Sequence, residues 1–230
     1  MAGSDSSGMR IGLVSDIHAN AVALERVLDA MPAVDRIVCA GDVIGYNPFP
    51  RECVETVRER GWPTVQGNHD RVVTSPDSYR HNQMAHAGLT YARERLDDDQ
   101  LAWLADLPES LTLLDGRVRV VHSHPTDRDR YVMPEEFSAL GRHLGDEDVL
   151  VLGHTHVQHH ERVGDTLIVN PGSVGQPRDR DPHAAFAVLD VDDGVTVDQR
   201  RVEYDVGRVQ EAVETAGLPS RTGERLARGQ

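Results

Sequence analysis

Short apolar runs alternate with helical patterns along the first part of the chain. Residues 10–14 form an apolar run that predicts a buried strand, and polar residues follow it directly. Residues 20–31 then carry Val22, Ala23, Val27 and Leu28 at helical spacing, and Pro32 stands just after them. This order predicts a strand, a loop and a helix, which together make one βα unit.

The same pattern recurs twice. Residues 36–40 predict a second strand with a helix over residues 50–60, and residues 64–66 predict a third strand. Each run leads directly into polar residues. Because ligands of open α/β sheets bind beyond the carboxyl ends of the strands, we expect these polar clusters to converge on one site.

The remainder predicts a helical segment and then a series of strands. Residues 78–107 predict a helical, cap-like stretch. Strands are predicted at residues 117–121, 149–152, 157–163, 166–169, 184–189 and 195–203. Asp193 and Gly194 predict the turn of a hairpin between the last two strands, and a final helix is predicted at residues 205–216. We expect one domain over residues 10–217, a disordered start at 1–9 and a polar tail at 218–230.

The composition narrows the class of protein and its partners. The 230 residues contain no run approaching the roughly 20 apolar residues of a membrane helix, and the first residues lack a signal-peptide pattern, so we expect a cytoplasmic protein without a membrane partner. Acidic residues outnumber basic ones by 38 to 24, the net charge is -14, and every basic residue is arginine. A non-specific nucleic-acid partner is therefore not expected, since such binding relies on lysine and arginine.

The acidic surface has two explanations. Molar salt shortens the Debye length to about 3 Å, so a halophile-like surface of this charge suits a salty cytoplasm. A GC-rich genome that favours arginine codons would also remove lysine. The two cysteines, Cys39 and Cys53, form neither a disulfide framework nor a zinc-type pair and are expected to be reduced.

Seven potential metal ligands follow the predicted strands. They are Asp16, His18, Asp42, Asn68, His122, His154 and His156. Oxygen and imidazole donors without thiolate suit manganese, iron, nickel or zinc, and one ion cannot use all seven. Two ions that share a carboxylate can, with Asp42 as the candidate bridge. Gly41, Gly67 and Gly153 allow the sharp turns that such convergence needs.

These blocks resemble the calcineurin-like metallophosphoesterases, and among them the small prokaryotic phosphodiesterases. The resemblance covers about residues 10–204 and rests on Asp16-x-His18, Gly41-Asp42, Gly67-Asn68-His69-Asp70, His122 after a strand, and Gly153-His154-Thr155-His156, with Asn170-Pro171-Gly172-Ser173 in addition. It implies an α/β, four-layer sandwich of two facing mixed β-sheets flanked by helices.

The resemblance also implies the site and the reaction. Asp16, His18 and His156 would hold one divalent ion, while Asn68, His122 and His154 hold a second, and Asp42 bridges them. Manganese is favoured, with nickel, iron or zinc as alternatives. The expected reaction is hydrolysis of a small phosphodiester, and also of monoesters, by a dinuclear-metal-activated hydroxide. His69 would serve as general acid or charge stabiliser, with Asp70 fixing its tautomer and orientation.

Several alternatives remain open from the sequence. Residues 122–125 read His-Ser-His-Pro, so His124 competes with His122, and the position directly after the strand favours His122. A non-catalytic interaction module, as in the retromer subunit of this fold, and a protein or nucleotide monoesterase are the rival functions. Tyr46, Asn47 and Arg178 are weaker candidates for substrate contacts. The oligomeric state is left open.

Six histidines and one acidic run fit no ligand spacing. A surface position is predicted for His81, His86, His143, His159, His160 and His183. The run Asp97 to Asp99 is interpreted as negative charge at the N-terminus of a helix, where the helix dipole favours it.

Overall fold

A computed structural model describes residues 8–230 of the chain. The expected disordered start, residues 1–9, falls largely outside the described residues, although Met9 already belongs to the first strand. No helix in the described part of the chain is both long and apolar enough to cross a bilayer.

Nine strands form two mixed sheets. The strands are β1 Met9–Val14, β2 Arg36–Cys39, β3 Ser110–Leu113, β4 Val118–Val121, β5 Val149–Val151, β6 His159–Val163, β7 Thr166–Asn170, β8 Ala184–Val191 and β9 Val195–Val202. The first sheet has the order β2-β1-β8-β9 and the second β3-β4-β5-β7-β6. Parallel and antiparallel pairs occur in both sheets.

Helices surround these sheets. They are α1 Ala21–Ala30, α2 Pro50–Glu59, α3 Asn68–Val72, α4 Gln83–Arg95, α5 Asp98–Ala105, α6 Val206–Thr215 and α7 Ser220–Leu226, with 3-10 turns at Pro76–Tyr79 and Pro134–His143. The side chain of Asn20 accepts a hydrogen bond from the Ala23 N–H and so begins α1. Asp97 and Gln100 cap α5 reciprocally, which agrees with the interpretation of the acidic run.

The alternation of side chains along each strand produces the layers. In β1, Ile11 and Leu13 pack with Val38 of β2 against Val120 and Val151 of the second sheet. The opposite face of the first sheet packs against α1, α2 and α6, and that of the second sheet against Phe137 of the 3-10 turn. The predicted α/β fold of two facing mixed sheets flanked by helices is confirmed.

The predicted third strand is wrong as a strand. Residues 64–66 contribute a single parallel bridge, between Thr64 and Cys39. Pro63 has no N–H to donate, and Gln66 already donates its N–H to the Pro108 carbonyl at 2.7 Å, so the ladder with β2 ends after one bridge. The segment still delivers Gly67 and Asn68 next to the end of β2.

The prediction of a polar tail at residues 218–230 is also wrong. The helix α7 lies there, and Leu218 and Leu226 join the core beneath the first sheet. The carbonyl of Gly223 accepts a hydrogen bond from the Gln210 side chain of α6 at 3.2 Å. Leu218 lies just before this helix and Leu226 is its last residue, but the seven residues between them, 219–225, are mostly polar and hid the pattern.

Leu226→Ala should lower the free energy of unfolding by about 2–5 kcal/mol, because Leu226 is fully buried and the substitution leaves a cavity. Glu224→Ala on the exposed side of the same helix should change it by less than about 0.5 kcal/mol. Urea unfolding of the two variants measures the difference. Equal stability of both would mean that α7 does not pack as described.

Candidate metal centre

The seven predicted ligands lie together at the carboxyl ends of the strands. Asp16 and His18 follow β1, Asp42 follows β2, and Asn68 begins α3. The remaining three, His122, His154 and His156, follow β4 and β5. Five of the seven have a left-handed backbone, which non-glycine residues rarely adopt: Asp16, His18, Asp42, His154 and His156. Such strain concentrates where side chains must be aimed at a functional point.

One group of donors consists of Asp16, His18 and His156. The Nε2 atoms of the two histidines lie 3.0 Å apart. Asp16 Oδ1 lies 3.2 Å from His156 Nε2 and 3.7 Å from His18 Nε2. Metal–ligand bonds of about 2.1 Å place neighbouring donors roughly 3 to 3.5 Å apart, so these spacings suit a shared cation.

The second group is centred on Asp42. Its Oδ2 lies 3.5 Å from His122 Nε2 and 3.6 Å from His18 Nε2, so one carboxylate oxygen faces both groups. His154 joins Asp42 and His122 as a third possible ligand, and Asn68 Oδ1 lies 3.0 Å from His122 Nε2. Asp42 therefore has the position of a bridge.

Backbone carbonyls orient all four histidines of the two groups. The pairs are His18 Nδ1 with Ile44 O at 3.1 Å, His122 Nδ1 with Ala40 O at 2.7 Å, His156 Nδ1 with Gln176 O at 2.6 Å, and His154 Nε2 with Asp129 O at 3.0 Å. A ring nitrogen that faces a carbonyl must carry the proton. In a neutral ring the other nitrogen keeps its lone pair, which is the state that binds a metal.

The charges of the site also suit cations. Burial raises the pKa of Asp16, but His156 and His122 outweigh this and hold that pKa below its usual range. Burial lowers the pKa of His18 and His156, and that of His154 to about 4, which keeps these rings neutral. For His122, burial is outweighed by Asp42, and its pKa rises to about 10. A positive charge is thus favoured beside Asp42.

One buried carboxylate oxygen of the site, Asp16 Oδ1, has no hydrogen-bond partner. Asp16 Oδ2 accepts hydrogen bonds from Ser15 Oγ and the His154 N–H, whereas the buried Oδ1 accepts none of normal geometry. A buried unpaired carboxylate oxygen is costly unless a cation completes it. The donor types, their spacing and this orphaned oxygen all fit divalent metal ions.

The seven candidate ligands are called the cage from here on. Two glycines allow the loops that carry them to approach one another. A Cβ on Gly67 would lie 2.0 Å from Asp42 Oδ1, and one on Gly153 would lie 2.1 Å from Ser15 Oγ. Both distances are far below van der Waals contact, so any side chain at either position would displace a ligand loop. The sequence prediction that these glycines enable the convergence agrees with this packing.

His69 lies beside the cage and faces the same cleft. Its ring contacts those of His18, Tyr46 and Tyr79, with centroids 4.8 to 5.2 Å apart. Burial lowers its pKa to about 4, so the ring is neutral near pH 7. One ring nitrogen also lies within ligand spacing of His18 and Asp42.

Asp70 does not hold the ring of His69, contrary to the prediction. Its carboxylate accepts hydrogen bonds from the backbone N–H groups of Asp42, Val43, Ile44 and Gly67 at 2.8 to 3.3 Å. His69 Nδ1 is buried and has no hydrogen-bond partner in the described structure. Asp70 stands on the first turn of α3, where its side chain turns back to the N-terminus of that helix, away from the ring that follows Asn68.

The structure separates the two competing histidines. His122 lies in the cage, while His124 packs against His143 with ring centroids 4.6 Å apart. The Thr126 N–H donates to His124 Nδ1 at 3.3 Å. His124 thus belongs to the neighbouring loop and offers no ligand to either group.

A cleft of about 400 Å³ opens over the cage. Asp42, Asn68, His69, His154 and His156 reach it from below, and Tyr46, Tyr79, His81, Tyr131 and Arg178 surround them. The predicted substrate contact by Asn47 is wrong, because this residue is fully buried and donates to the His18 carbonyl at 2.9 Å.

Sequence reasoning missed several of these cleft residues. His81 is exposed, as predicted, but it also lines the cleft and stacks on Tyr79 at 5.6 Å. Tyr131 stacks on His154 at 4.2 Å. The one available signal was rarity, since the chain has only five tyrosines and three of them line this cleft.

Known proteins share this fold and sequence pattern. The model of the calcineurin-like phosphoesterase superfamily domain matches residues 9–194. A metallophosphoesterase from Sphaerobacter thermophilus is 35% identical with a TM-score of 0.85, over 97% of this chain and 100% of that one. An uncharacterised protein from Methanocaldococcus jannaschii is 30% identical over 95% of this chain and 98% of its own length. Phosphodiesterase YfcE from Escherichia coli is 28% identical over 80% of this chain and 89% of its own. The chain belongs to the calcineurin-like phosphoesterase superfamily.

Proposed function

We propose that this chain is a dinuclear metal-dependent phosphodiesterase that acts on small phosphoesters. The observation that carries the proposal is the arrangement of two donor groups around one oxygen of Asp42, which faces His18 and His122 at 3.6 and 3.5 Å. A shared carboxylate between two sets of imidazoles is the arrangement that paired divalent ions require.

The donors divide into two sets. Asp16, His18 and His156 would hold one ion, and Asn68, His122 and His154 the other, with Asp42 common to both. Manganese is the favoured metal, and nickel, iron or zinc suit the same donors. When bound, two such ions supply Lewis acidity that polarises phosphoryl oxygens and lowers the pKa of water.

His69 supplies a hydrogen bond at the reacting phosphate. The ring is packed between Tyr46 and Tyr79 and stays neutral near pH 7, so it acts by donating an N–H to a phosphate or leaving-group oxygen. Asp70 positions the backbone beneath His69, because the carboxylate of Asp70 fixes the loop that bears Asp42. A neutral donor held by packing stabilises the charge that develops without itself titrating.

The shape of the cleft supports a diester. The helical cap is confined to the segment from Pro76 to Ala105, and the cleft stays open above Tyr131, whose side chain is 49% exposed. Both substituents of a phosphodiester bound at the cage therefore have room to extend into the open cleft. The 28% identity to a phosphodiesterase over 80% of the chain adds to this support.

The test of the function compares two chromogenic substrates with added manganese. Bis(p-nitrophenyl) phosphate should be hydrolysed faster than p-nitrophenyl phosphate, and removal of metal by a chelator should abolish both activities. Faster hydrolysis of the monoester would identify a monoesterase instead. No turnover with manganese, nickel, iron or zinc would favour a non-catalytic module.

His122→Ala should lose roughly one of two equivalents of bound manganese, because it removes a ligand of the second set. His124→Ala is the matched control two residues away, and it should retain both equivalents. Elemental analysis of the purified variants gives the ratio directly. Loss of metal in His124→Ala, with full content in His122→Ala, would reverse the assignment.

His69→Ala should keep its metal while turnover of the diester falls by about 10²- to 10⁴-fold, the usual contribution of a positioned acid or donor. His160→Ala serves as the control, because His160 is an exposed residue that is hydrogen-bonded to Gln199. Metal content and kcat are measured on the same samples. Loss of manganese in His69→Ala would make this residue a ligand, as its spacing from His18 and Asp42 also allows.

A further inference from the structure

The side chain of Asn68 can serve as a metal ligand in only one of its two orientations. Its amide has an oxygen at one end and an NH₂ group at the other, and only the oxygen offers a lone pair to a cation. Asn68 Oδ1 lies 3.0 Å from His122 Nε2, so the oxygen faces the second donor group and the NH₂ group points away from it. Because Asn68 is buried, that NH₂ group needs an acceptor from the protein.

Tyr79 supplies this acceptor with its hydroxyl oxygen. Asn68 Nδ2 donates a hydrogen bond to Tyr79 Oη at 2.5 Å. The contact satisfies the NH₂ group in the orientation that a metal requires. Without the hydroxyl, the same orientation would leave a buried donor unpaired, which costs more free energy than an average hydrogen bond contributes.

Several contacts hold Tyr79 in place. It ends the 3-10 turn Pro76–Tyr79, and its carbonyl accepts a hydrogen bond from the Asn82 N–H at 2.8 Å. Asn82 in turn caps α4 with its side chain. The ring of Tyr79 contacts those of His69 and His81, with centroids 5.2 and 5.6 Å apart. Packing of the cap-like segment therefore determines where the hydroxyl oxygen lies.

The partner of Asn68 differs in kind from those of the histidines in the cage. Backbone carbonyls orient the four histidines, whereas a side chain orients Asn68. Tyr79 stands eleven residues after Asn68 and outside the blocks of sequence that supply the candidate ligands. A backbone carbonyl is present whatever the residue, but this hydroxyl can be removed by a single substitution.

We propose that Tyr79 is a positioning residue for the second ion, the one assigned to Asn68, His122 and His154, because its hydroxyl oxygen holds the amide of Asn68 with the ligand oxygen turned to the metal. The cap-like segment is then part of the metal centre as well as a wall of the cleft. This inference rests on the two-ion centre of the proposed function and adds a residue that determines how tightly one ion is held.

Tyr79→Phe removes only the hydroxyl and keeps the ring beside His69 and His81. The full-length, manganese-loaded protein is dialysed against a series of free manganese concentrations, and the bound metal is measured by elemental analysis. The second ion should bind about 10- to 100-fold more weakly in Tyr79→Phe, because a buried donor is left unpaired. The first ion should bind as in the wild-type protein.

Tyr91→Phe is the matched control. Tyr91 stands on α4, and its ring lies under the guanidinium of Arg95 at 4.7 Å. Loss of its hydroxyl should leave the binding of both ions unchanged. Melting curves verify that both variants are folded.

Asn68→Ala tests whether Tyr79 acts through this ligand. The variant keeps Asp42, His122 and His154 around the second ion, so its weaker binding can still be measured. Adding Tyr79→Phe to Asn68→Ala should weaken the second ion no further, because no amide is left to orient.

Three results would overturn this role of Tyr79. They are unchanged binding of both ions in Tyr79→Phe, equal weakening in Tyr91→Phe, and a full additional loss when Tyr79→Phe is combined with Asn68→Ala. All three are read from metal binding and are independent of turnover. A chain that holds two ions, loses affinity for one in Tyr79→Phe and hydrolyses no phosphoester would refute the phosphodiesterase and leave the role of Tyr79 standing.

Discussion

The carboxylate of Asp70 joins two of the loops that carry the candidate metal ligands. It accepts N–H groups from Asp42, Val43 and Ile44 after β2, and from Gly67 before α3. Because Asp42 and Asn68 stand on those two loops, this cluster sets the distance between them. A buried carboxylate is tolerated only when its oxygens are satisfied, and the four donors turn that requirement into a fixed geometry for the cage.

The cage concentrates several unfavourable features in one place. Five of its seven candidate ligands have a left-handed backbone, and each such residue costs of order 1–3 kcal/mol. Two acidic side chains, Asp16 and Asp42, are also withdrawn from water. The two sheets offset this by packing Ile11 and Leu13 against Val120 and Val151, which fixes the strand ends from which the ligands project. Stability of the inter-sheet core and geometry of the site are therefore linked.

The charged residues around the cage are not evenly distributed. The chain is strongly acidic, yet the cleft has arginines, Arg71 and Arg178, on both sides of the candidate metal ligands. Where these arginines pair with carboxylates, they act as structural contacts between loops. Arg178 instead donates hydrogen bonds to Tyr46 Oη and Gln176 Oε1.

The sequence by itself determined the order of most strands and helices, the seven potential ligands and the glycines that let their loops meet. In an α/β sheet, an apolar run that ends in polar residues is a buried strand that leads into the site. His122 was favoured over His124 because it stands directly after a strand. Local pattern was sufficient there because each strand end determines the direction of the residues that follow it.

Only the tertiary structure decided which groups these residues touch. Three of the four hydrogen-bond partners of Asp70 come from a loop 26 to 28 residues away in sequence, and His81 and Tyr131 reach the cleft from segments with no shared motif. Such contacts depend on how the layers pack across long sequence separations. The helix α7 was hidden for the same reason: Leu226 is the one large apolar residue that it carries, and only the surface formed by the rest of the fold makes its burial favourable.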